Sequence, residues 1–530
     1  MGISTFFGLN VGMTALDAAS QAESVISNNI ANSNTPGYVQ ESAVMQEVAP
    51  YPPLPSTNAP IIGGQMGQGA EVQQVQRLTN AFLNKQDRLN QGTSNMYDTL
   101  AQNLTQIEQI INEPSSQSLQ NALDNFFGSW QTLSTSPSSI PARQAVISEG
   151  QTLGQTFQTV TTQLEDMQSN LAGTVQNQLQ ELNNYAQQVA QLNQQIVNID
   201  SMNNSGQSLV ESPNQLEDQR GLLLDKMSQL ANISYTQNSD GSISVSIGSG
   251  TSGAGSIPLV SETSYYTMNT NTALPNSMSQ YVSTGTVFTQ TFTGAYTGTL
   301  VANSSTQTID VNLSYLNSGE IAGNTQSLDE VNKTLAQFDG FLTSLANEVN
   351  SIQTGTSAYA LGASATSNIP FFNISISTQT NNVTLEVNSS LTPQDIAAAT
   401  GANLPGDNSN ALLMVNDAWN GYPSSATSYN YYSISTNQSV QITSSTSATF
   451  DQMLTGFVAQ LGIDSAAANS NQTTADALSQ QSSNLRQSVS GVDLNEQAAQ
   501  MVEFQNVYSA AAKFISIFDQ MLQTAINMVP

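Results

Sequence analysis

The N-terminal part of the chain carries apolar side chains at every third or fourth residue, the spacing of one face of an α-helix. Alanine takes several of these positions, so a second helix can approach closely. Residues 32–37 contain Pro36 and Gly37 and favour a turn that ends the helix. We therefore predict a helix over residues 9–30, with an apolar face made of Leu9, Met13, Leu16, Ala19, Ala22, Ile26 and Ile30.

The C-terminal end carries a broader apolar pattern at the same period. One stripe contains Leu494, Ala498, Met501, Tyr508, Ala512, Ile515, Leu522, Ile526 and Val529. A second stripe beside it contains Val502, Val507, Ala511, Phe514, Phe518, Met521, Ala525 and Met528. An apolar face of this width is too broad for a single partner helix. We therefore predict a helix that several other helices bury, of which one chain can offer only its own N-terminal helix.

Between the two ends, helical spacing returns over residues 78–111, 119–133 and 328–352. The longest periodic run covers residues 146–199, where apolar side chains follow one another mostly at intervals of three, four or seven. This spacing is typical of long buried helices and of coiled coils. The middle of the chain is therefore predicted to consist mainly of long helices.

Short alternating runs indicate β-strands in residues 233–317 and again in residues 374–387. Residues 243–247 alternate isoleucine or valine with serine, and Asp240-Gly241 just before them is a hairpin turn signal. Residues 41–69, rich in proline and glycine, predict an extended, turn-rich connector, and residues 391–399 predict a short helix opened by Thr392-Pro393.

These patterns predict an α+β protein with three parts. Residues 1–38 and 490–530 form a discontinuous terminal helical domain of coiled-coil type. Residues 39–233, 320–370 and 430–489 form a mainly helical middle domain. Residues 234–319 and 371–429 are β-rich and include an inserted outer domain.

The charge balance excludes several kinds of partner. The 530 residues carry 38 acidic and nine basic side chains, a formal net charge of -29. Nucleic acids and anionic membrane surfaces both attract clustered lysine and arginine, so neither is expected as a partner. No run approaches the roughly 20 apolar residues of a membrane span, so membrane insertion is not expected either.

The chain contains no cysteine and no histidine. The commonest general base and the usual transition-metal ligands are therefore missing, and we expect neither a metal nor another cofactor. Catalysis would have to rest on paired carboxylates, and the candidates are Glu165 with Asp166 and Asp329 with Glu330. Both pairs lie in helical patterns, where solvated side chains are the simpler interpretation. We therefore predict no catalytic residues and a protein that is not an enzyme.

Two terminal motifs resemble those of a known protein family. Residues 28–38 resemble the signature of the flagellar axial proteins, which are the rod, hook and hook-associated subunits. Residues 490–513, which begin Ser-Gly-Val-Asp-Leu-Asn-Glu-Gln-Ala-Ala-Gln-Met, are similar to the end of the hook-associated protein 1 family. Residues 328–350, 392–399 and 406–408 match weaker internal stretches. The axial motif comprises Asn28, Asn29, Ala31, Asn32, Thr35, Pro36, Gly37 and Tyr38.

The resemblance implies a structural subunit at the junction of the flagellar hook and filament, with both chain ends in the innermost layer of a tube. It also implies export through the flagellar type III pathway. The implied partners are copies of the same chain, the hook protein, the second junction protein (hook-associated protein 3), and an export chaperone on the C-terminal helix. The expected assembly interface consists of Leu9, Met13, Leu16, Ile26, Ile30, Leu494, Met501, Tyr508, Ile515, Leu522 and Ile526.

Two alternatives remain at this point. Another axial subunit, hook protein or distal rod protein, would share the terminal motifs, but the long helical middle favours the junction. A secreted adhesin would account for the serine- and threonine-rich β region but would not need the axial motifs at both ends. A cytoplasmic location would agree with the lack of a basic, apolar leader, and the resemblance instead implies an uncleaved export route.

Overall fold

Long α-helices supply most of the regular structure in the computed structural model. The residues that it describes are 7–50, 66–111, 118–204, 213–248, 257–270, 281–284, 287–290, 297–302, 305–312, 316–376, 382–421, 423, 428–433, 438–443 and 447–527. The helices of these residues are α1 (Phe7–Asn32), α2 (Ala81–Ile111), α3 (Leu119–Thr135), α4 (Ile140–Asn204), α5 (Asn214–Leu230), α6 (Glu320–Gln353), α7 (Ser409–Leu413), α8 (Phe450–Ser490) and α9 (Leu494–Asn527). The helices predicted for the middle of the chain are confirmed.

Local sequence signals mark where several helices begin. Pro141 lies in the first turn of α4, where its missing N–H group costs no hydrogen bond. The Ser118 hydroxyl accepts a hydrogen bond from the Asn121 amide at the start of α3. Thr449 and Gln452 exchange hydrogen bonds in a capping box at the start of α8.

Helix α6 lies at the centre of the helical part and packs against α2, α4, α5 and α8. It is buried on nearly every side, so it needs no polar face of the usual kind. Aromatic rings fill the spaces around it: the Phe157 ring stacks on Phe341, with centroids 5.4 Å apart. A second aromatic group forms where α3 meets the segment after α6 and contains Phe126, Phe127, Trp130, Phe371 and Phe372.

Side-chain amides form a buried polar ladder between α2, α4 and α6. The Asn103 amide nitrogen donates to the Asn324 side-chain oxygen at 3.0 Å, and the Asn324 amide donates in turn to Gln178 at 3.0 Å. Gln178 donates onward to Glu320 at 3.0 Å. A buried amide that finds its partner in only one register fixes how helices slide against each other.

The described strands form one large sheet and four hairpins. The six-stranded sheet has the order β10-β9-β6-β5-β4-β3, with antiparallel neighbours, and packs on α4. The strands are β1 (Glu41–Glu47), β2 (Ala70–Arg77), β3 (Ile233–Gln237), β4 (Ile243–Ile247), β5 (Ile257–Ser261), β6 (Ser264–Thr270), β7 (Tyr281–Thr284), β8 (Val287–Gln290), β9 (Thr297–Ala302), β10 (Ser305–Asn312), β11 (Phe372–Ile376), β12 (Val383–Val387), β13 (Ser428–Ser433) and β14 (Gln438–Thr443). The β-region predicted for residues 233–317 is confirmed.

The connector predicted for residues 41–69 contains a strand. β1 pairs antiparallel with β2, and a register shift between Val44 and Met45 interrupts the pairing. The bulge disturbs the two-residue alternation by which strands are recognised, so the sequence pattern did not reveal the pairing. Residues 51–65 of this connector lie outside the described part of the chain.

The short helix predicted for residues 391–399 is wrong: only one 3-10 turn forms, at Pro393–Asp395. Polar side chains from other elements form hydrogen bonds with the backbone of this segment. The buried Arg143 guanidinium donates to the Ile396 carbonyl, and Gln353 donates to the Asp395 carbonyl at 2.9 Å. Gln353 also accepts from the Ala397 amide at 3.1 Å, so the groups that would continue a helix are already engaged.

The run predicted over residues 146–199 forms an ordinary core helix: α4 contacts α3, α5, α6 and the strands β5, β6 and β12, whereas a coiled-coil helix keeps one helical seam. The β-rich part predicted for residues 371–429 differs from the structure. Within the residues described between 371 and 429, strand is confined to the β11–β12 hairpin and the start of β13. That hairpin packs on α4 and α6, so it belongs to the helical core.

Candidate assembly site

The two terminal helices pack against each other in antiparallel orientation. Gly12 on α1 lies against Ile515 on α9, and Asn29 near the end of α1 hydrogen-bonds to Gln497 near the start of α9. A Cβ atom at Gly12 would meet the Ile515 side chain at 2.8 Å. The helices therefore approach as closely as the small residues of α1 permit, as the alanine-rich face predicted.

The residues predicted for the assembly interface divide into two groups. Ile26 is buried, and Leu9, Leu16, Ile30, Met501, Ile515 and Leu522 are half-buried. Met13, Leu494 and Tyr508 are exposed. The side chain of Ile526 lies outside the described part of the chain. The structure thus brings much of the predicted interface together within one chain, as the contact between α1 and α9.

A different face of α9 remains open to solvent. We call it the outer strip, and it consists of Val502 (58% exposed), Val507 (44%), Ile517 (50%) and Met521 (63%). Three of these residues belong to the second stripe found in the sequence, and Ile517 was missed because it lies outside both stripes. Phe514 of the second stripe is 45% exposed but also lies against Gly12 of α1. Several exposed apolar side chains on one side of a helix indicate an interaction site.

The axial motif ties α1 to its neighbours through one buried side chain. The Asn29 amide nitrogen donates to the Glu41 carbonyl at 2.8 Å and to the Gln497 side chain at 2.9 Å. Its side-chain oxygen accepts from the Glu41 amide at 2.9 Å and from the Tyr38 hydroxyl at 2.8 Å. Asn29 therefore links α1, the start of β1 and the start of α9.

The rest of the motif forms a tight turn after α1. The Tyr38 amide donates to the Thr35 carbonyl at 3.1 Å, and Gly37 between them has φ +81°. Proline followed by a residue with positive φ is the sequence of a type II turn, so the turn predicted at residues 32–37 is confirmed. A Cβ atom at Gly37 would also meet Leu222 of α5 at 2.9 Å.

The other motif residues support this turn or lie outside it. The Asn32 amide donates to the Asn28 side chain at 2.8 Å, and Thr35 donates to the Asn32 side-chain oxygen at 3.2 Å. Ala31 and Pro36 are exposed. Burial first, and then the nearby carboxylates of Glu41 and Asp218, raise the pKa of Tyr38, so its phenol stays protonated as a donor.

Below the motif lies a cluster of ion pairs that we call the joint, because the terminal elements meet the helical part there. The Arg77 guanidinium, at the end of β2, pairs with Asp218 at 2.6 Å and with Glu217 at 2.9 Å. Asp218 also accepts from the Val39 amide at 3.2 Å, just after the motif. The axial motif and β2 are thus both anchored on α5.

A second group of ion pairs in the joint holds the C-terminal part of α8, just before α9 begins. Arg486 pairs with Asp87 and Asp225 at 3.0 Å each, and Arg88 pairs with Asp225 at 2.6 Å. Asp87 is fully buried; burial raises its pKa, and the charge of Arg486 partly opposes that rise. The sequence showed these basic residues only as members of helical segments, since spacing cannot reveal partners more than a hundred residues apart.

The carboxylates considered for catalysis have structural contacts. Asn382 donates to Glu165 at 2.5 Å, and Glu330 pairs with Lys333 at 3.0 Å. Ser433 donates to Asp329 at 3.0 Å. Burial first raises the pKa of Glu330, and the Lys333 charge lowers it in part. These contacts give Glu165, Asp329 and Glu330 structural roles. The fourth carboxylate, Asp166, is exposed.

Comparison with known proteins identifies the family. The flagellar hook-associated protein FlgK helical domain matches residues 104–369, half of the chain. The chain belongs to the flagellar hook-associated protein FlgK family. The ends match two shared flagellar domains: the basal body rod protein domain at residues 9–38, and the C-terminal domain of the basal body rod FlgEFG proteins at residues 486–528.

Two flagellar hook-associated proteins agree with this result, and one solved structure is also similar. Flagellar hook-associated protein 1 of Bacillus subtilis is 27% identical over 99% of this chain and 98% of its own length. Flagellar hook-associated protein 1 of Salmonella typhimurium is 30% identical over 46% of this chain and 41% of its own length. The flagellar hook junction protein FlgK from Burkholderia pseudomallei has a TM-score of 0.44 at 22% identity, covering 55% of this chain and 47% of that one.

Membership of the FlgK family confirms the resemblance found in the terminal motifs. The chain is a structural protein of the bacterial flagellum, and its relatives are named flagellar hook-associated proteins. In the part of the chain that the structure describes, no helix combines the length and the apolar character needed to cross a membrane.

Proposed function

We propose that this chain is the subunit that joins the flagellar hook to the filament, with α1 and α9 in the innermost layer of the assembled tube. The observation that carries the proposal is the outer strip of α9, which is apolar and faces away from α1. In one chain these side chains face water. Burying them stabilises by about 25 cal/mol per Å² of apolar surface removed from water, so association with other subunits is favoured.

The proposed partners follow from this position. Copies of the same chain contact the outer strip around the tube, the hook protein lies on one side, and hook-associated protein 3 lies on the other. We further propose export through the flagellar type III pathway, with a chaperone that covers α9 before secretion. A chaperone on α9 would shield the outer strip from aggregation inside the cell. No cofactor takes part.

The test replaces two outer-strip residues by aspartate, in the variant Val502→Asp/Met521→Asp. An unpaired carboxylate in an apolar contact costs several kcal/mol, so the variant should be secreted and folded but should fail to join hook tips. Purified protein would be added to hooks from a deletion strain, and decorated hooks counted by electron microscopy. We expect decoration to fall by about tenfold or more.

Leu404→Asp is the matched control, because Leu404 is 54% exposed and lies far along the chain from both terminal helices. Ile515→Asp provides a second comparison: Ile515 contacts Gly12, so this variant should also separate α1 from α9. Normal decoration by Val502→Asp/Met521→Asp would refute the role of the outer strip. A deletion strain that still carries normal filaments would refute the junction assignment.

A further inference from the structure

The terminal helix pair carries a lone positive charge among its described residues. α1 and α9 together contain the carboxylates of Asp17, Glu23, Glu496, Glu503 and Asp519. The positive charge is Lys513, which lies in the middle of α9 and is exposed. A single cation in an otherwise acidic and apolar unit raises the question of its partner.

Most other basic residues are already engaged. Arg77, Arg88, Arg220, Arg486 and Lys333 form ion pairs. Arg143 donates to backbone carbonyls, and Lys226 lies over the Tyr185 ring at 5.6 Å. Across the described residues, Lys513 and the exposed Lys85 on α2 have no ion-pair partner. Lys513 is thus available for a partner outside its own chain.

Helical geometry places Lys513 within the outer strip. At 3.6 residues per turn, Lys513 points in nearly the same direction as Val502, eleven residues earlier, and close to Ile517, four residues later. The same geometry aligns Glu503 with Met521, also in the strip. Glu503 is exposed and has no hydrogen bond or ion pair among the described residues. The strip therefore holds one free cation and one free anion among apolar side chains.

These two charges cannot pair within one helix. They are ten residues apart, which at 1.5 Å per residue is about 15 Å along the axis, whereas an ion pair needs the charged atoms within about 4 Å. Two parallel copies of α9 offset by about 15 Å along their axes, however, bring Lys513 of one copy beside Glu503 of the next. An offset contact repeated from copy to copy is the head-to-tail kind that builds rings and helical tubes.

We propose that Lys513 of one subunit forms an ion pair with Glu503 of a neighbouring copy and thereby sets the axial offset between adjacent α9 helices. The inference rests on the proposed function and deepens it. The apolar part of the strip favours contact but tolerates sliding, because apolar contacts lack direction. A buried lysine without a partner is costly, so only the offset that pairs the charges is stable. Paired charges at helix contacts fix register in this way.

Charge exchange tests the pairing. The variants are Lys513→Glu, Glu503→Lys and the double variant Lys513→Glu/Glu503→Lys, with Lys85→Glu as the control for loss of an exposed lysine. Each purified protein is added to hooks from a deletion strain, and decorated hooks are counted by electron microscopy. We expect each single exchange to lower decoration by about tenfold or more and the double exchange to restore it to within about threefold of the original chain. Lys85→Glu should decorate normally.

Several results would overturn the pairing. One is normal decoration by Lys513→Glu, and another is failure of the double variant to recover while Val502→Asp/Met521→Asp also fails. Recovery by Lys513→Glu/Glu496→Lys in place of the Glu503 exchange would assign the partner to Glu496 and reject Glu503. The proposed function is tested separately by the double aspartate variant of the outer strip. It is supported if that variant still fails to decorate hooks, and it is refuted if that variant decorates them normally. Circular dichroism of each variant checks that its helices are intact.

Discussion

Asn29 shows how one side chain of a family motif can hold a tertiary structure. Its four hydrogen bonds join α1 to β1, α9 and Tyr38, and it is 1% exposed. The motif was recognisable in the sequence because the order of its residues is specific. The bonds of Asn29 were not predictable, since Gln497 lies 468 residues away and no local pattern points to it.

Replacing Asn29 by alanine should loosen this attachment. The Glu41 amide loses its acceptor, and a buried polar group without a partner costs about 1–3 kcal/mol. Hydrogen exchange followed by mass spectrometry should show faster exchange at the start of β1 and in the first turns of α9, with α4 unchanged. Asn34→Ala is the control, because Asn34 is exposed. Unchanged protection in Asn29→Ala would show that packing alone holds these elements together.

Asp407 gives a prediction that depends on pH. Burial alone would raise its pKa, but hydrogen bonds from Ser409 and Thr400 outweigh burial and lower it to about 2. A depressed carboxyl pKa stabilises the fold above the unfolded pKa of about 3.9, and that contribution is lost as pH falls towards 2. Asp407→Ala should therefore lower stability by about 1 kcal/mol at pH 6.

The difference between Asp407→Ala and the original chain should shrink between pH 4 and pH 2, because protonation removes the same charge in the original chain. Thermal unfolding of both proteins across this range measures the difference directly. Glu386→Ala serves as the control, since Glu386 is an exposed acid on the nearby hairpin. A difference that stays constant down to pH 2 would contradict the role given to the Asp407 carboxylate.

At the scale of elements, the sequence predicted long, strongly periodic segments and missed short ones. α4 and α6 follow from the spacing of their apolar residues, because every turn must place an apolar side chain in the core. The turn at Pro393–Asp395 begins like a helix. Arg143 and Gln353, however, form hydrogen bonds with the backbone carbonyls that would otherwise extend the helix. Such competition depends on side chains remote in sequence, so propensity alone cannot reveal it.

The two apolar faces of α9 show another limit of prediction from the sequence. Periodicity found both apolar stripes but could not decide which one contacts α1 and which one faces solvent. Close approach at Gly12 selects Ile515 and Phe514 for the internal contact and leaves Val502, Ile517 and Met521 exposed. The residues best suited to test assembly are therefore those of the outer strip.

At the scale of the whole molecule, the joint connects the terminal pair to the helical part. Its positive charges, Arg77, Arg88 and Arg486, sit among acids of α2 and α5. Composition and period change along the chain, and the prediction of terminal, helical and β-rich parts rests on these changes. The joint could not be predicted, because its partners come from β2, α2, α5 and α8.

Arg486→Met should destabilise this connection. Removing the guanidinium leaves Asp87 buried without its cation, which costs about 3 kcal/mol. The pKa of Asp87, already raised by burial, should rise further, so the stability lost at pH 7 should be partly regained as pH falls and Asp87 binds a proton. Thermal unfolding at pH 5 and pH 7 measures both effects.

Adding Asp87→Asn to Arg486→Met should recover part of the loss at pH 7, because the uncompensated charge is gone. Lys226→Met is the control, since Lys226 contacts an aromatic ring and no carboxylate of the joint. If the double variant were no more stable than Arg486→Met, the buried charge would not be the cause.

The antiparallel contact between α1 and α9 also determines the order in which parts of the chain can fold during synthesis. Asn29 and Gln497 are 468 residues apart, and a ribosome adds roughly 5–20 residues per second, so α1 waits roughly 20–90 s for its partner. Local contacts within α2 to α6 form long before that. The pair of α1 and α9 is therefore the last unit to fold. A nascent or truncated chain presents α1 alone, and such a chain lacks the outer strip of α9 that would allow its assembly into a tube.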